Sequence, residues 1–92
     1  MKRIIELIEG IQTASDSISH ENRRSVVADS IRPLIVLLKT EKRHFNVDSE
    51  KFDILISGIE ISATQVWKRA DGHVSAGKIR SEAQKLVGYL NK

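Results

Sequence analysis

The chain has 92 residues, of which 40% are hydrophobic and 29% are charged, and its formal net charge is +3. This length and composition are typical of one ordinary globular domain, here residues 1–92, and exclude a disordered or fibrous protein. The absence of cysteine excludes disulfides and thiolate metal sites, and the longest purely apolar run is far shorter than the roughly 20 residues of a membrane span. We therefore expect a soluble, cytoplasmic protein.

A first helix is predicted over residues 2–19. Apolar residues recur there at alternating spacings of three and four, which is the pattern of an amphipathic helix. This apolar stripe consists of Ile4, Leu7, Ile11, Ala14 and Ile18, and it is widened by Ile5 and Ile8. Gly10 weakens the helix without ending it.

A second helix is predicted to begin at a Ser19 cap and to be interrupted by Pro33. An interior proline lacks the N–H donor, and its ring clashes with the carbonyl group one turn earlier. Two alternatives follow. Either the helix kinks near Asp29, or a new helix begins at a Ser30 cap, with the proline in its first turn.

The run LIVLL, residues 34–38, is apolar on nearly every side of a helix. Such a run is typical of a segment buried at the centre of a fold. We therefore expect the whole run to lie in the core, so that Leu37→Ala should cost roughly 2–5 kcal/mol.

A third helix is predicted from a cap at Asp48 or Ser49 through Ala70, and it carries two apolar stripes. The main stripe consists of Phe52, Leu55, Ile59, Ala63, Val66 and Ala70. The second stripe consists of Ile54, Gly58 and Ile61. Two stripes predict contacts on two sides of this helix, made either with two neighbouring helices or with one neighbour and a binding partner.

A last helix is predicted after a turn at Asp71-Gly72, with Ser75 as its cap. Val74 and Ile79 have the spacing of a hydrophobic staple around that cap. The predicted buried edge of this helix consists of Ile79, Ala83, Leu86 and Leu90.

The segment VWKRADGHVSAGKIRSEAQKL, residues 66–86, resembles a DNA-reading helix-turn-helix in its second half only. Val74, Ser75 and Ile79 fall in register with that motif, but His73 stands where a glycine is expected at the turn. Because helix capping alone accounts for the matching residues, we interpret the segment as a basic helical hairpin. The predicted fold is an all-α antiparallel four-helix bundle, or five helices if Pro33 splits the second.

The sequence offers no pattern that predicts catalysis or a cofactor. The only Glu-x-x-His spacing, Glu41 to His44, occurs once and has Lys42 and Arg43 inside it, which oppose cation binding. No glycine-rich phosphate loop and no nucleophile elbow occurs in the chain. We therefore expect no enzyme activity, no metal site and no cofactor.

Positive charge is concentrated toward the end of the chain. Residues 1–50 carry eight basic and eight acidic side chains, whereas residues 61–92 carry six basic and two acidic ones. Tryptophan and arginine are enriched at the energetic centres of interfaces, and paired apolar positions mark contact faces. The candidate partner-binding residues are Trp67, Lys68, Arg69, Lys78, Arg80, Lys85, Ile54 and Ile61.

These features predict a small non-catalytic protein-binding module that occupies the surface of a partner. The partner is expected to be a protein, of acidic character if the basic hairpin guides it, and a homodimer is a further form of the same hypothesis. The alternative is a small DNA- or RNA-binding regulator that uses the basic hairpin. In size, charge and helical pattern the chain is similar to bacteriocin immunity proteins, phage-encoded inhibitors and small regulators of bacterial mobile elements, although it has no motif specific to them.

Overall fold

A computed structural model describes residues 2–41, 49–68 and 72–91 of the chain. Within these ranges there are four helices and no strand, which confirms the predicted all-helical class. Helix α1 is Lys2–Asp16, α2 covers residues 23–41, α3 is Ser49–Lys68 and α4 is Gly72–Leu90.

Helix α1 ends at Asp16, three residues before the predicted end. The Ser15 hydroxyl donates to the carbonyl of Gln12 and the Ser17 hydroxyl donates to that of Ala14, each at 2.7 Å. Serine hydroxyl groups that bond to nearby carbonyls compete with helical hydrogen bonding and favour helix ends. Ile18 is nevertheless buried beyond the helix end, so the predicted apolar stripe still reaches it.

Ser19 does not cap the second helix as predicted, because Asn22 holds the N-cap position and a turn separates Ser19 from the helix. The Ser19 hydroxyl accepts the N–H of Asn22 at 3.2 Å, and the Asn22 side-chain oxygen accepts the N–H of Ser19 at 2.6 Å. This exchange has the form of a capping box, with asparagine in the position usually held by glutamate. Helix α2 then begins at Arg23.

Helix α2 passes through Pro33 by means of one widened turn. It consists of an α-helical turn Arg23–Val26, a π-helical turn Val27–Ile31 and an α-helix Arg32–Glu41. In the π-helical turn the N–H of Arg32 donates to the carbonyl of Val27, five residues earlier. A proline ring at 33 would clash with the carbonyl of Asp29 in a regular helix, and the widened turn spans that residue. Asp29, where one alternative predicts a kink, lies in the π-helical turn, and no helix begins at Ser30. The α-helical segment that follows begins at Arg32, with Pro33 in its first turn.

We expect Pro33→Ala to change the free energy of unfolding by less than about 1 kcal/mol. The side chain of Pro33 is exposed, and the widened turn has already relieved the clash that its ring would cause. Chemical denaturation followed by far-UV circular dichroism measures both stability and helix content. A loss of several kcal/mol, or a loss of helical signal, would show that the proline itself holds α2 in place.

The prediction that the whole LIVLL run is buried is wrong. Ile35 and Leu38 lie in the core, but Val36 is 61% exposed and Leu37 is 40% exposed. Within the described ranges, α2 packs against the other helices mainly through the side that carries Ile35 and Leu38, so Val36 and Leu37 are left largely exposed. For the same reason, we no longer expect Leu37→Ala to lower the free energy of unfolding by a large amount.

The prediction that Ser75 caps the last helix is also wrong. Helix α4 begins at Gly72, so Ser75 lies inside it. The other parts of the turn prediction, Ala70 and Asp71, lie outside the described residues. The predicted buried edge of α4, in contrast, is confirmed at Ile79, Ala83, Leu86 and Leu90.

Buried apolar side chains from all four helices form one cluster. Isoleucine and leucine supply most of its volume, and Phe52 is its largest fully buried member. Gly10 lets α1 and α2 come close, because a methyl group there would lie 3.2 Å from a terminal carbon of Leu34. None of the described helices combines the length and apolar character needed to cross a bilayer.

Candidate functional site

Ile54 and Ile61 lie on the outer face of α3. They are seven residues apart, which places them within about 20° of each other around the helix. Ile54 is 64% exposed and Ile61 is 59% exposed, while Phe52 and Ile59 on the same helix are fully buried. Ile54 and Ile61 of the predicted second stripe therefore face solvent, whereas Gly58 between them is half-buried beside α4.

A shallow depression surrounds the two isoleucines. It is lined on α3 by Glu50, Asp53, Ile54, Ser57, Gly58 and Ile61, and on α4 by Glu82. The Glu82 side chain lies across Gly58, because a methyl group at that position would be only 2.6 Å from its Oε2 atom. Glycine at 58 thus allows an acidic side chain of α4 to reach the rim of this apolar face. We call Ile54, Ser57, Gly58 and Ile61 the α3 face.

Trp67 lies at the end of α3 under two arginines of α2. The guanidinium carbon of Arg24 is 4.7 Å from the centre of the indole ring, and that of Arg32 is 5.8 Å from it. The Arg24 Nε–H also donates to the backbone carbonyl of Trp67 at 3.3 Å. The half-buried indole therefore supports a pair of cations, each within the range of a cation–π contact. We call Arg24, Arg32 and Trp67 the Trp67 cluster.

The structure separates the basic residues that the sequence grouped on the last helix. Lys78 and Arg80 are two positions apart, which places them about 160° from each other around α4. Arg80 pairs with Asp16 of α1 at 2.5 Å, and Lys85 pairs with Glu82 on its own helix at 3.1 Å. These three residues therefore do not form one basic face, and two of them have acidic partners.

The two remaining candidate cations follow Trp67 in the sequence. Lys68 is exposed at the end of α3, next to Trp67. Arg69 lies outside the described residues. Six of the eight predicted residues thus divide among the α3 face (Ile54 and Ile61), the Trp67 cluster (Trp67) and the two sides of α4 (Lys78, Arg80 and Lys85).

Sequence reasoning missed Arg24 and Arg32, because residues 1–50 carry balanced charge as a whole. Within the described ranges no carboxylate pairs with either guanidinium. The one sequence signal was Pro33, which predicted an irregular turn next to these arginines without predicting its geometry.

Groups of three or more side chains suited to holding a metal ion are absent from the described ranges. Glu41 ends α2, and His44, its partner in the single Glu-x-x-His spacing, lies outside those ranges. No protein-family model, curated protein or solved structure matches this chain. The surface features of the described chain that suit a binding function are the α3 face and the Trp67 cluster.

Proposed function

We propose that this protein is a non-catalytic protein-binding module that occupies the surface of a partner through its α3 face. The observation that supports the proposal is the outward pair Ile54 and Ile61, each more than half exposed. Burying a large aliphatic side chain contributes roughly 1.5–3 kcal/mol, so a partner that covers both gains substantial free energy.

The arrangement of the α3 face supports a partner rather than simple exposure to solvent. Single exposed aliphatic side chains are common on soluble proteins, but contiguous apolar patches mark contact sites. Ile54 and Ile61 share one side of the helix, and Ser57 and Gly58 lie between them, with the Glu82 side chain of α4 across Gly58.

We also propose that the four helices form an antiparallel bundle and that the protein is cytoplasmic. Pairs of contacting residues support this arrangement, because their order reverses between α1 and α4: Gln12 bonds to Gln84, and Asp16 pairs with Arg80. The same reversal relates α3 and α4 through the pairs Lys51–Tyr89 and Gly58–Glu82. The cytoplasmic assignment rests on the cysteine-free composition.

The alternative of a DNA- or RNA-binding regulator that uses the last helix has less support. Duplex DNA presents a regular line of phosphates and is bound by a continuous basic stripe. Lys78 and Arg80 lie on different sides of α4, and Asp16 and Glu82 neutralise Arg80 and Lys85. A homodimer remains within the leading proposal, with a second copy as the occupant of the α3 face.

Photo-crosslinking from Ser57 tests the proposal. A photoreactive side chain at this exposed position, between the two isoleucines, should give one discrete product in an extract of the source cells. We expect the double variant Ile54→Ser/Ile61→Ser to reduce that product at least tenfold, because both apolar contacts are lost. Denaturing gels and mass spectrometry of the product identify the occupant, and a product of two chains identifies a second copy.

Two matched controls make the crosslinking result specific. Val36→Ser/Leu37→Ser removes two other exposed aliphatic side chains and should leave the product unchanged. A photoreactive side chain at Ser81, which is exposed on α4, should give no comparable product. Equal products from positions 57 and 81, or no product at either, would contradict the proposal.

A further inference from the structure

We propose that the Trp67 cluster is a second binding site, and that it takes the carboxylates of an acidic peptide segment in a protein partner. This second site goes beyond the proposed function, which rests on the α3 face. Trp67 is six residues from Ile61 along α3, so the two lie about 120° apart around the helix. The two surfaces can therefore be tested separately.

The indole ring holds two guanidinium groups in place before any ligand arrives. Arg24 is fixed twice, by its stacking 4.7 Å from the ring centre and by its 3.3 Å hydrogen bond to the carbonyl of Trp67. That bond uses Nε–H and leaves the terminal N–H groups of Arg24 for a ligand. Arg32 contacts the same ring, and within the described ranges its side chain makes no hydrogen bond. Fixing long side chains in advance reduces the entropy that binding would otherwise cost.

The π-helical turn brings these two arginines to the same side of α2. Residues 24 and 32 are eight positions apart, and in a regular α-helix they would lie about 80° from each other. One extra residue in the turn Val27–Ile31 reduces the effective spacing to seven, which leaves them roughly 20° apart. Both guanidinium groups can therefore reach one indole. The irregular turn thus has a consequence at the surface as well as in the core.

The charge around the cluster is unbalanced. Arg23 and exposed Lys68 lie next in sequence to Arg24 and Trp67, and Arg23 donates to the carbonyl of His20 at 3.0 Å. In the part of the chain that the structure describes, no carboxylate pairs with Arg24 or Arg32. Arginine forks form paired hydrogen bonds with carboxylates, and such bonds are stronger than those between neutral groups. The site is therefore suited to a ligand that brings its own negative charge.

The compact shape of the cluster favours an acidic peptide over a nucleic acid. Both guanidinium groups lie within 6 Å of one ring centre, so they present positive charge at one spot rather than along a line. Three other cations with described partners, Lys39, Arg80 and Lys85, are paired with carboxylates and do not extend it. A nucleic acid needs several phosphates neutralised in sequence, whereas one or two carboxylates of a peptide fit two adjacent forks.

Fluorescence of Trp67 tests the site directly, since it is the only tryptophan in the chain. Titration with pentaglutamate at low salt should change the emission in a saturable way, and pentaglutamine should not. Arg24→Gln/Arg32→Gln should weaken pentaglutamate binding at least tenfold. Arg32→Lys keeps the charge but loses the planar fork, so it should weaken binding by an intermediate amount.

The matched control is Lys78→Gln/Arg80→Gln, which removes the same amount of positive charge, but from the two sides of α4. This variant should bind pentaglutamate as tightly as the unchanged protein does. Thermal melting checks that each variant folds. Arg32→Gln alone is a further variant, because it keeps the hydrogen bond from Arg24 to the carbonyl of Trp67. Equal weakening of pentaglutamate binding in both double variants would show that the Trp67 cluster is not a specific site. Tighter binding of a short DNA duplex than of pentaglutamate at the same salt, lost in Arg24→Gln/Arg32→Gln, would overturn the peptide assignment. Neither outcome affects crosslinking from the α3 face.

Discussion

Replacing Leu38 with alanine should lower the free energy of unfolding by roughly 2–5 kcal/mol. Leu38 is fully buried at the inner side of α2, where it belongs to the apolar cluster shared by all four helices. The loss combines the transfer free energy of the deleted carbons with the free energy of the cavity that they leave. Urea denaturation followed by circular dichroism measures it.

Leu37→Ala is the matched control, because it makes the same chemical change one residue earlier. Leu37 is 40% exposed, so we expect it to cost less than about 1 kcal/mol. The difference between these two variants measures which side of the LIVLL run faces the core. Similar losses at both positions would show that α2 is buried on both sides, which is contrary to this structure.

Phe52→Ala should be the most destabilising of the substitutions considered, with an expected loss of roughly 3–5 kcal/mol. Phe52 is the largest side chain of the core that is fully buried, and it lies in the first turn of α3. Aliphatic neighbours cannot refill the volume of an aromatic ring without moving the helices. Denaturation in guanidinium chloride or urea gives the free energy of unfolding for comparison with the unchanged protein.

Ile54→Ala, on the outer side of the same helix, is the control for Phe52. Because Ile54 is 64% exposed, we expect its loss of stability to stay within about 0.5 kcal/mol. This result also bears on function, since a folded variant at Ile54 makes any loss of crosslinking a loss of binding. A cost at Ile54 comparable to that at Phe52 would place the α3 face inside an intramolecular contact and remove it as a docking surface.

The two proposed surfaces differ in chemistry and in the partner segments that they suit. The α3 face presents apolar side chains with an acidic rim, whereas the Trp67 cluster presents two arginines on an aromatic ring. A single partner that engages both must carry an apolar segment and an acidic segment on different parts of its surface. Such two-point contact raises affinity through effective concentration when both sites are reached together.

The sequence by itself determined the helical class and the positions that α1 and α4 bury. The spacings of three and four in α1 and α4 predicted buried stripes that the structure confirms, from Ile4 through Ile11 and from Ile79 through Leu90. Local signals were sufficient here because helical periodicity and capping depend on residues only a few positions apart. The irregular turn before Pro33 followed from the same local chemistry, whereas Ser19, the predicted cap, lies three residues before the N-cap Asn22.

Only the tertiary structure decided which apolar and charged side chains meet. The LIVLL run and the second stripe of α3 have the same apolar character as the core stripes, yet Leu37 and Ile61 face solvent because no helix of the described chain covers them. Arg24 and Arg32 reach Trp67 from another helix, more than 30 positions away in sequence, after the π-helical turn has brought them into line. Periodicity gives the direction of a side chain around its own helix, but its neighbours depend on how separate helices pack against each other.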